Sequence, residues 1–165
     1  MRFAYADPPY PGAGRYAHEQ PVDHGLLIKR LCAEYPDGWA LSTSSPALRE
    51  VLALCPPEVR VMAWVKPFAV FKKHVNPAYA WEPVLVWRGR KQTTGPGIAT
   101  VRDWIACNIT LQKGLVGVKP DGFCHWLFRV LGARPGDELI DLYPGTGAVG
   151  RAWAVYLAAF EEETP

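Results

Sequence analysis

Apolar residues fall along this chain in short blocks separated by polar turns, with two different periods. Arg2 to Ala6, Gly38 to Thr43, Val59 to Val65, Pro83 to Trp87 and Glu138 to Leu142 are brief runs rich in aliphatic and aromatic residues, and they read as strands. Val22 to Glu34, Pro46 to Leu54, Asp121 to Leu131 and Ala148 to Phe160 carry apolar residues at helical spacing. Pro46 suits the first position of a helix capped by Ser45, and Pro36-Asp37-Gly38 closes the helix before it. Asp103 to Leu115 fits neither period, with Trp104-Ile105 as a plug for the core, and Gln92 to Gly97 reads as a polar loop able to cover a site. Alternating elements predict an α/β sheet with helices on both faces, formed by residues 1–165 as one domain. In such a sheet, ligands bind beyond the carboxyl ends of the strands where strand order reverses.

The first predicted strand runs out into Asp7-Pro8-Pro9-Tyr10. Prolines have a fixed φ and no N–H, so the turn is stiff and its carbonyls are acceptors without competing donors. Asp7 adds a carboxylate. Together they would orient the two N–H donors of an exocyclic amine on a planar base, with Tyr10 stacked on the ring. The same four residues are equally an ordinary proline turn at a strand end.

The last predicted strand leads into Pro144-Gly145-Thr146-Gly147-Ala148-Val149-Gly150 and then a helix. Glycines there let the backbone approach a ligand, and the helix N-terminus offers unpaired N–H groups. The spacing satisfies G-x-G-x-x-G, but a dinucleotide fold needs an acid about 20 residues further on. The sequence given ends at Pro165, too soon for it.

Asp7-Pro8-Pro9-Tyr10 at one end and Asp141-Leu142-Tyr143-Pro144-Gly145-Thr146-Gly147 at the other together resemble the S-adenosyl-L-methionine (AdoMet)-dependent amino methyltransferases that modify adenine N6 or cytosine N4. Motif order, acceptor turn first and donor turn last, is similar to the circularly permuted members and to MT-A70-like enzymes. Lys119-Pro120 ahead of a helix, the turn Arg134-Pro135-Gly136-Asp137 and the Glu-led strand starting at Glu82 resemble further family elements. The resemblance implies a Rossmann-like AdoMet methyltransferase sheet, circularly permuted and truncated after the donor-binding helix. It implies that Asp7, Pro8, Pro9 and Tyr10 are catalytic, and that Asp141, Tyr143, Pro144, Gly145, Thr146, Gly147, Ala148 and Lys119 bind the AdoMet cofactor. Asp at the first motif position favours adenine over cytosine within the family, and DNA is expected in preference to RNA. Family members continue into another strand whose acid holds the donor ribose. Without it the donor strand would lie near a sheet edge, to be covered by the tail, by Asp103 to Leu115 or by a second subunit as a homodimer.

Composition adds limits. Of the 165 residues, 49% are hydrophobic and 21% charged, enough for one core. The absence of a long apolar run or a signal-like start predicts a soluble, cytoplasmic protein with no membrane partner, from a bacterial or phage-infected cell. Cys32, Cys55, Cys107 and Cys124 lack metal-ligand spacing and read as free thiols in a reducing compartment. A net charge of +2 is no signature of a nucleic-acid binder, so distribution matters more. Lys66, Lys72, Lys73, Arg88, Arg90 and Lys91 are interleaved with aromatics, the composition of a strand-tracking surface, and Arg15 beside the acceptor turn could meet a phosphate. Two other readings stand beside the DNA N6-adenine methyltransferase: the same chemistry on RNA or on cytosine N4, and a non-catalytic nucleic-acid-binding subunit of the same fold.

Overall fold

The computed structural model describes residues 1–11, 22–68, 73–110 and 118–162. Its six-stranded sheet comprises β1 (Arg2–Ala6), β2 (Gly38–Ser42), β3 (Arg60–Val65), β4 (Trp81–Arg88), β5 (Trp104–Ala106) and β6 (Glu138–Asp141), in the order β5-β3-β4-β2-β1-β6. β1 is parallel to β2 and β6, and β3 is parallel to β5, whereas β4 runs antiparallel to both its neighbours, β2 and β3. The carboxyl ends of the five other strands therefore share one end of the sheet with the amino end of β4. α1 (His24–Glu34) and α2 (Leu48–Leu52) cover one face, and α3 (Asp121–Leu131) and α4 (Ala148–Glu162) cover the other.

Period two explains the two cores. In β1, Phe3 and Tyr5 face α3 while Ala4 and Ala6 face α1, and β2 divides in the same way into Ala40 against Trp39 and Leu41. Covered on both faces, these strands read as apolar runs and not as alternating ones. α1 begins where Asp23 Oδ1 accepts the Leu26 N–H at 2.9 Å, and it buries Leu27, Ile28 and Leu31. α2 is shorter than Pro46 to Leu54. Ser44, not Ser45, holds the turn, with its carbonyl accepting the Ala47 N–H at 3.1 Å, so Pro46 lies in the turn and the helix starts at Leu48.

α3 packs Phe123, Leu127, Phe128 and Leu131 at full burial, and ends at Gly132 in the left-handed region, φ 68°. A Cβ there would lie 2.9 Å from Arg90 Cβ and 3.1 Å from the Arg90 carbonyl oxygen. Gly132→Ala is expected to lower the unfolding free energy by about 1–3 kcal/mol, read from denaturant unfolding, since the backbone conformation and the close approach both oppose a side chain.

Two expectations are corrected. Trp104-Ile105 is not a core plug: β5 is an edge strand against β3, and Ile105 packs on the core while Trp104 is 43% exposed. The described part of the stretch, Asp103 to Thr110, does not cover the donor strand, because β5 lies at the opposite edge from β6; residues 111–115 fall outside the described residues. Among the described residues β6 pairs with β1 alone, so β1 is interior and β6 is not. No described helix is long and apolar enough to cross a membrane. All four cysteines are free, and burial pushes the Cys124 thiol up to about 12 and the Cys55 thiol up to about 11.

Candidate active site

Side-chain alternation and strand register bring the chemistry to one place. Asp7 lies two residues beyond Tyr5, and Asp141 is the register partner of Tyr5 on β6, so both acids follow the α3-facing row of the sheet. β4 enters from the same end, and its Glu82 pairs in register with Trp64, placing a third carboxylate on that face. Lys119, just before α3, reaches over the row. Its Nζ lies 2.9 Å from Asp7 Oδ2 and 3.4 Å from Glu82 Oε2, and 5.1 Å from the centroid of the Trp64 ring. Tyr10 donates its hydroxyl to Asp7 Oδ1 at 3.0 Å and to Glu82 Oε2 at 3.4 Å. Lys66 closes the cluster with a short ion pair to Glu82.

Two carboxylates thus face two ammonium groups. The lysine end of Lys119 is only 7% exposed, a position that would be prohibitive without partners. Burial works against the Lys119 charge, but Asp7 and the tyrosines around it outweigh burial and hold its pKa well above the ordinary value. Burial likewise opposes the Glu82 charge, but Lys119 and Lys66 hold its carboxyl below the usual range. The Tyr10 phenol is pushed well up by burial, so it is a donor and not a phenolate at neutral pH. Asp7 therefore has a resident partner on each oxygen and a spare lone pair on each. Beneath it, Tyr5 and Ser42 share a hydrogen bond at 2.8 Å, and the hydroxyl of fully buried Thr43 has no partner among the described residues.

Asp141 is half-buried and accepts the Tyr143 N–H at 3.2 Å; burial raises its carboxyl, and the Asp7 charge adds to the rise. The chain then turns through Pro144 to Gly147, with Gly145 at φ 46° and Gly147 at φ 72°, and α4 starts at Ala148. A Gly147 N–H to Pro144 carbonyl bond at 2.6 Å tightens the turn. Arg151 folds back from the first turn of α4 and donates to the Thr146 carbonyl at 2.7 Å. Left-handed glycines and the N–H groups of the first turn of α4 make a donor-rich edge, and Asp141 sets an acceptor on the strand that leads into it. These are the groups that a hydroxylated, polar ligand such as AdoMet calls for, so the residues present fit it.

The structure sets Asp7 and Asp141 at the neighbouring ends of β1 and β6, from which the Pro8-Pro9-Tyr10 and Pro144 to Ala148 turns continue. It puts Lys119 on Asp7 rather than on the glycine turn. Tyr10 has its hydroxyl in the carboxylate cluster. Arg88 and Arg90 are not at this site. They lie at the far end of β4, where Arg88 stacks on Trp87 at 4.1 Å and Arg90 grips both oxygens of Asp137 at 2.7 Å. Lys91 follows them. Gln92 is anchored there too, on the Arg129 carbonyl at 2.7 Å, so the loop to Gly97 leaves from the end opposite Asp7 and does not cover it. Lys73 is described and exposed, whereas Arg15 and Lys72 lie outside the described residues. Sequence reading placed Lys66 on a strand-tracking surface and not with Glu82, and it gave no role to Tyr5 as the partner of Ser42 or to Arg151. The signal for Lys66 was its position at the end of β3, opposite the start of β4 that carries Glu82.

No protein-family profile matches the chain, and no curated protein does. Among solved structures, the crystal structure of the M1.HpyAVI–SAM complex matches with a TM-score of 0.58 at 15% identity, covering 91% of this chain and 76% of that one. The likeness shows the fold: this chain has a Rossmann-like sheet of the methyltransferase type.

Proposed function

We propose that this chain is an AdoMet-dependent methyltransferase that modifies the exocyclic N6 amine of adenine in DNA. One observation carries the reading: Asp7 and Asp141 stand on the same face at the same end of adjacent parallel strands, so the acceptor turn and the glycine turn follow neighbouring strand ends. M1.HpyAVI, whose structure was determined with SAM, supports a donor at the glycine turn.

Bound AdoMet supplies an electrophilic methyl on a sulfonium. The chain's own groups prepare the acceptor. An adenine amine is a poor nucleophile because its lone pair is delocalised into the ring. Asp7 and the Pro8 carbonyl accept its two N–H bonds and draw the nitrogen toward tetrahedral geometry, an electrostatic effect preorganised before the base arrives. Lys119 and Tyr10 hold the Asp7 carboxylate in a single orientation, which limits the entropy lost on reaction. Asp141 and the backbone from Gly145 to Ala148 hold the donor. A base within a duplex has to leave the stack to reach Asp7.

The test is transfer of labelled methyl from AdoMet to unmodified DNA, RNA and oligonucleotides, with mass analysis of the product nucleosides. N6-methyladenine in DNA is the expected product. N4-methylcytosine or methylated RNA would replace the substrate, and AdoMet binding without transfer would favour a non-catalytic subunit. Gly147→Leu should weaken AdoMet binding by at least about tenfold in calorimetry, ~1.4 kcal/mol, because a branched side chain is forced into a left-handed turn beside the donor.

A further inference from the structure

The helices do not cover the whole sheet. On the α1 and α2 face the core takes its strand residues from β1, β2, β6 and the later part of β4, and none from β3 or β5. Register shows what is left bare. Val65 pairs with Trp81 on one side and Ala106 on the other, and Ala63 pairs with Trp104, so these residues share one face with Val61. Val61 is 40% exposed, Trp81 38% and Trp104 43%. None of the six is charged. Among the described residues, the ionic group laid on this face is the Arg102 guanidinium, 5.5 Å from the centroid of the Trp104 ring; Asp103 is turned away toward Arg60 at 3.8 Å. Trp81 directly precedes Glu82 at the end of the sheet that carries the candidate active site, with the two side chains on opposite faces.

Among the described residues no helix lies over Trp81 or Trp104, and an exposed aromatic patch of this kind marks a contact surface. Two flat aromatic plates and a cation, with no carboxylate among them, complement a partner that is both aromatic and anionic. We propose that this face holds an unpaired stretch of the nucleic-acid substrate, bases stacking on Trp81 and Trp104 and a phosphate meeting Arg102, with the strand passing around the end of the sheet at Trp81 to reach Asp7 on the other face. Trp81 and Trp104 stand on strands two apart and two residues offset along them, on the order of 12 Å, a span that nucleotides two apart in an extended strand bridge. Bases paired and stacked inside a duplex cannot use such plates, so the face selects single-stranded or locally opened substrate. The inference rests on the function proposed above and names the substrate form for that site.

The experiment is fluorescence anisotropy of the full chain with a labelled adenine-containing 12-mer, single-stranded and as duplex, together with methyl transfer at saturating oligonucleotide. The single strand should bind more tightly than the duplex. Trp81→Leu and Trp104→Leu should each weaken single-strand binding by roughly tenfold, and Trp→Phe at either site should restore most of it, because stacking and not apolar area is at stake. Arg102→Gln should lower the slope of affinity against salt by about one ion. Both tryptophans are exposed, so thermal unfolding should stay near wild type and a folding defect is not confused with lost binding. Leucine variants that bind the strand as wild type does, while methyl transfer proceeds, would overturn the platform and leave the enzyme standing. Tryptophan-dependent binding without transfer to any base would do the opposite. A dimer in sedimentation that Trp104→Asp dissociates would assign the face to a second copy and also overturn the proposal.

Discussion

Asp7→Ala is expected to slow single-turnover methyl transfer by about a thousandfold, near 4 kcal/mol of transition-state stabilisation, with AdoMet affinity held within a few-fold. The split follows from placement. Asp7 lies at the end of β1 with Lys119 and Tyr10 on its oxygens, whereas the donor groups lie on β6 and the following turn. Loss of the Asp7 carboxylate removes an acceptor for the amine but leaves the prolines, the glycine turn and the Lys119–Glu82 contact in place. Asp7→Asn separates acceptor from charge: its amide oxygen still accepts one N–H bond, so transfer should fall less than in the alanine variant. Lys119 would then lose its nearest anion. Rapid-quench measurement with enzyme in excess over labelled AdoMet reads the chemical step directly. An alanine variant that transfers at the wild-type rate would remove Asp7 from the mechanism, and equal losses in rate and donor binding would make it a structural residue.

The sheet was legible where one stretch of sequence decides its own environment. β1 and β6 are apolar runs that end in turn residues, and α1 and α3 have apolar faces with Asp23 at one start and Gly132 at one end. Both motifs were legible because each is contiguous. What sequence could not show is what reverses direction. β4 is antiparallel, and eight residues at about 3.3 Å each carry the chain roughly 25 Å from Trp81 to Arg88. Lys66 and Arg88 look like one basic stretch on paper, yet that strand sends Lys66 to the Asp7 end and Arg88 and Arg90 to the other. The same reversal brings Glu82 to Lys119, 37 positions away in sequence. Trp104 was misread for a related reason: an apolar residue on a short edge strand has the composition of a core residue, and only the helix coverage of that face decides its exposure.

Lys119→Met should cost about 2–3 kcal/mol of stability at neutral pH and most of the methyl transfer, and the stability loss should shrink in acid. Lys119 is the cation shared by Asp7 and Glu82, and its removal from a buried site leaves two carboxylates facing each other with only Lys66 to balance them. Breaking one side of a buried ion pair typically costs about 3–5 kcal/mol, and the lower figure reflects the retained Lys66 and the partial exposure of Asp7. In the wild type the Glu82 carboxyl is held below its ordinary range, so its contribution is present above the unfolded carboxyl pKa and is lost as pH falls through the lower folded value. Without Lys119 that depression weakens or reverses. The variant's deficit is then largest where carboxylates are ionised and closes as pH drops below about 5, where protonation relieves the repulsion. Urea unfolding at pH 8 and pH 4.5 reads the difference. Lys119→Met combined with Glu82→Gln should regain part of the stability at pH 8, because one stranded charge is gone, but not the transfer, because Asp7 then keeps only the Tyr10 hydroxyl and loses its cation. A deficit independent of pH would make Lys119 a packing residue against Trp64 and Phe123. Full activity in the single variant would show that Asp7 is held by Tyr10 alone.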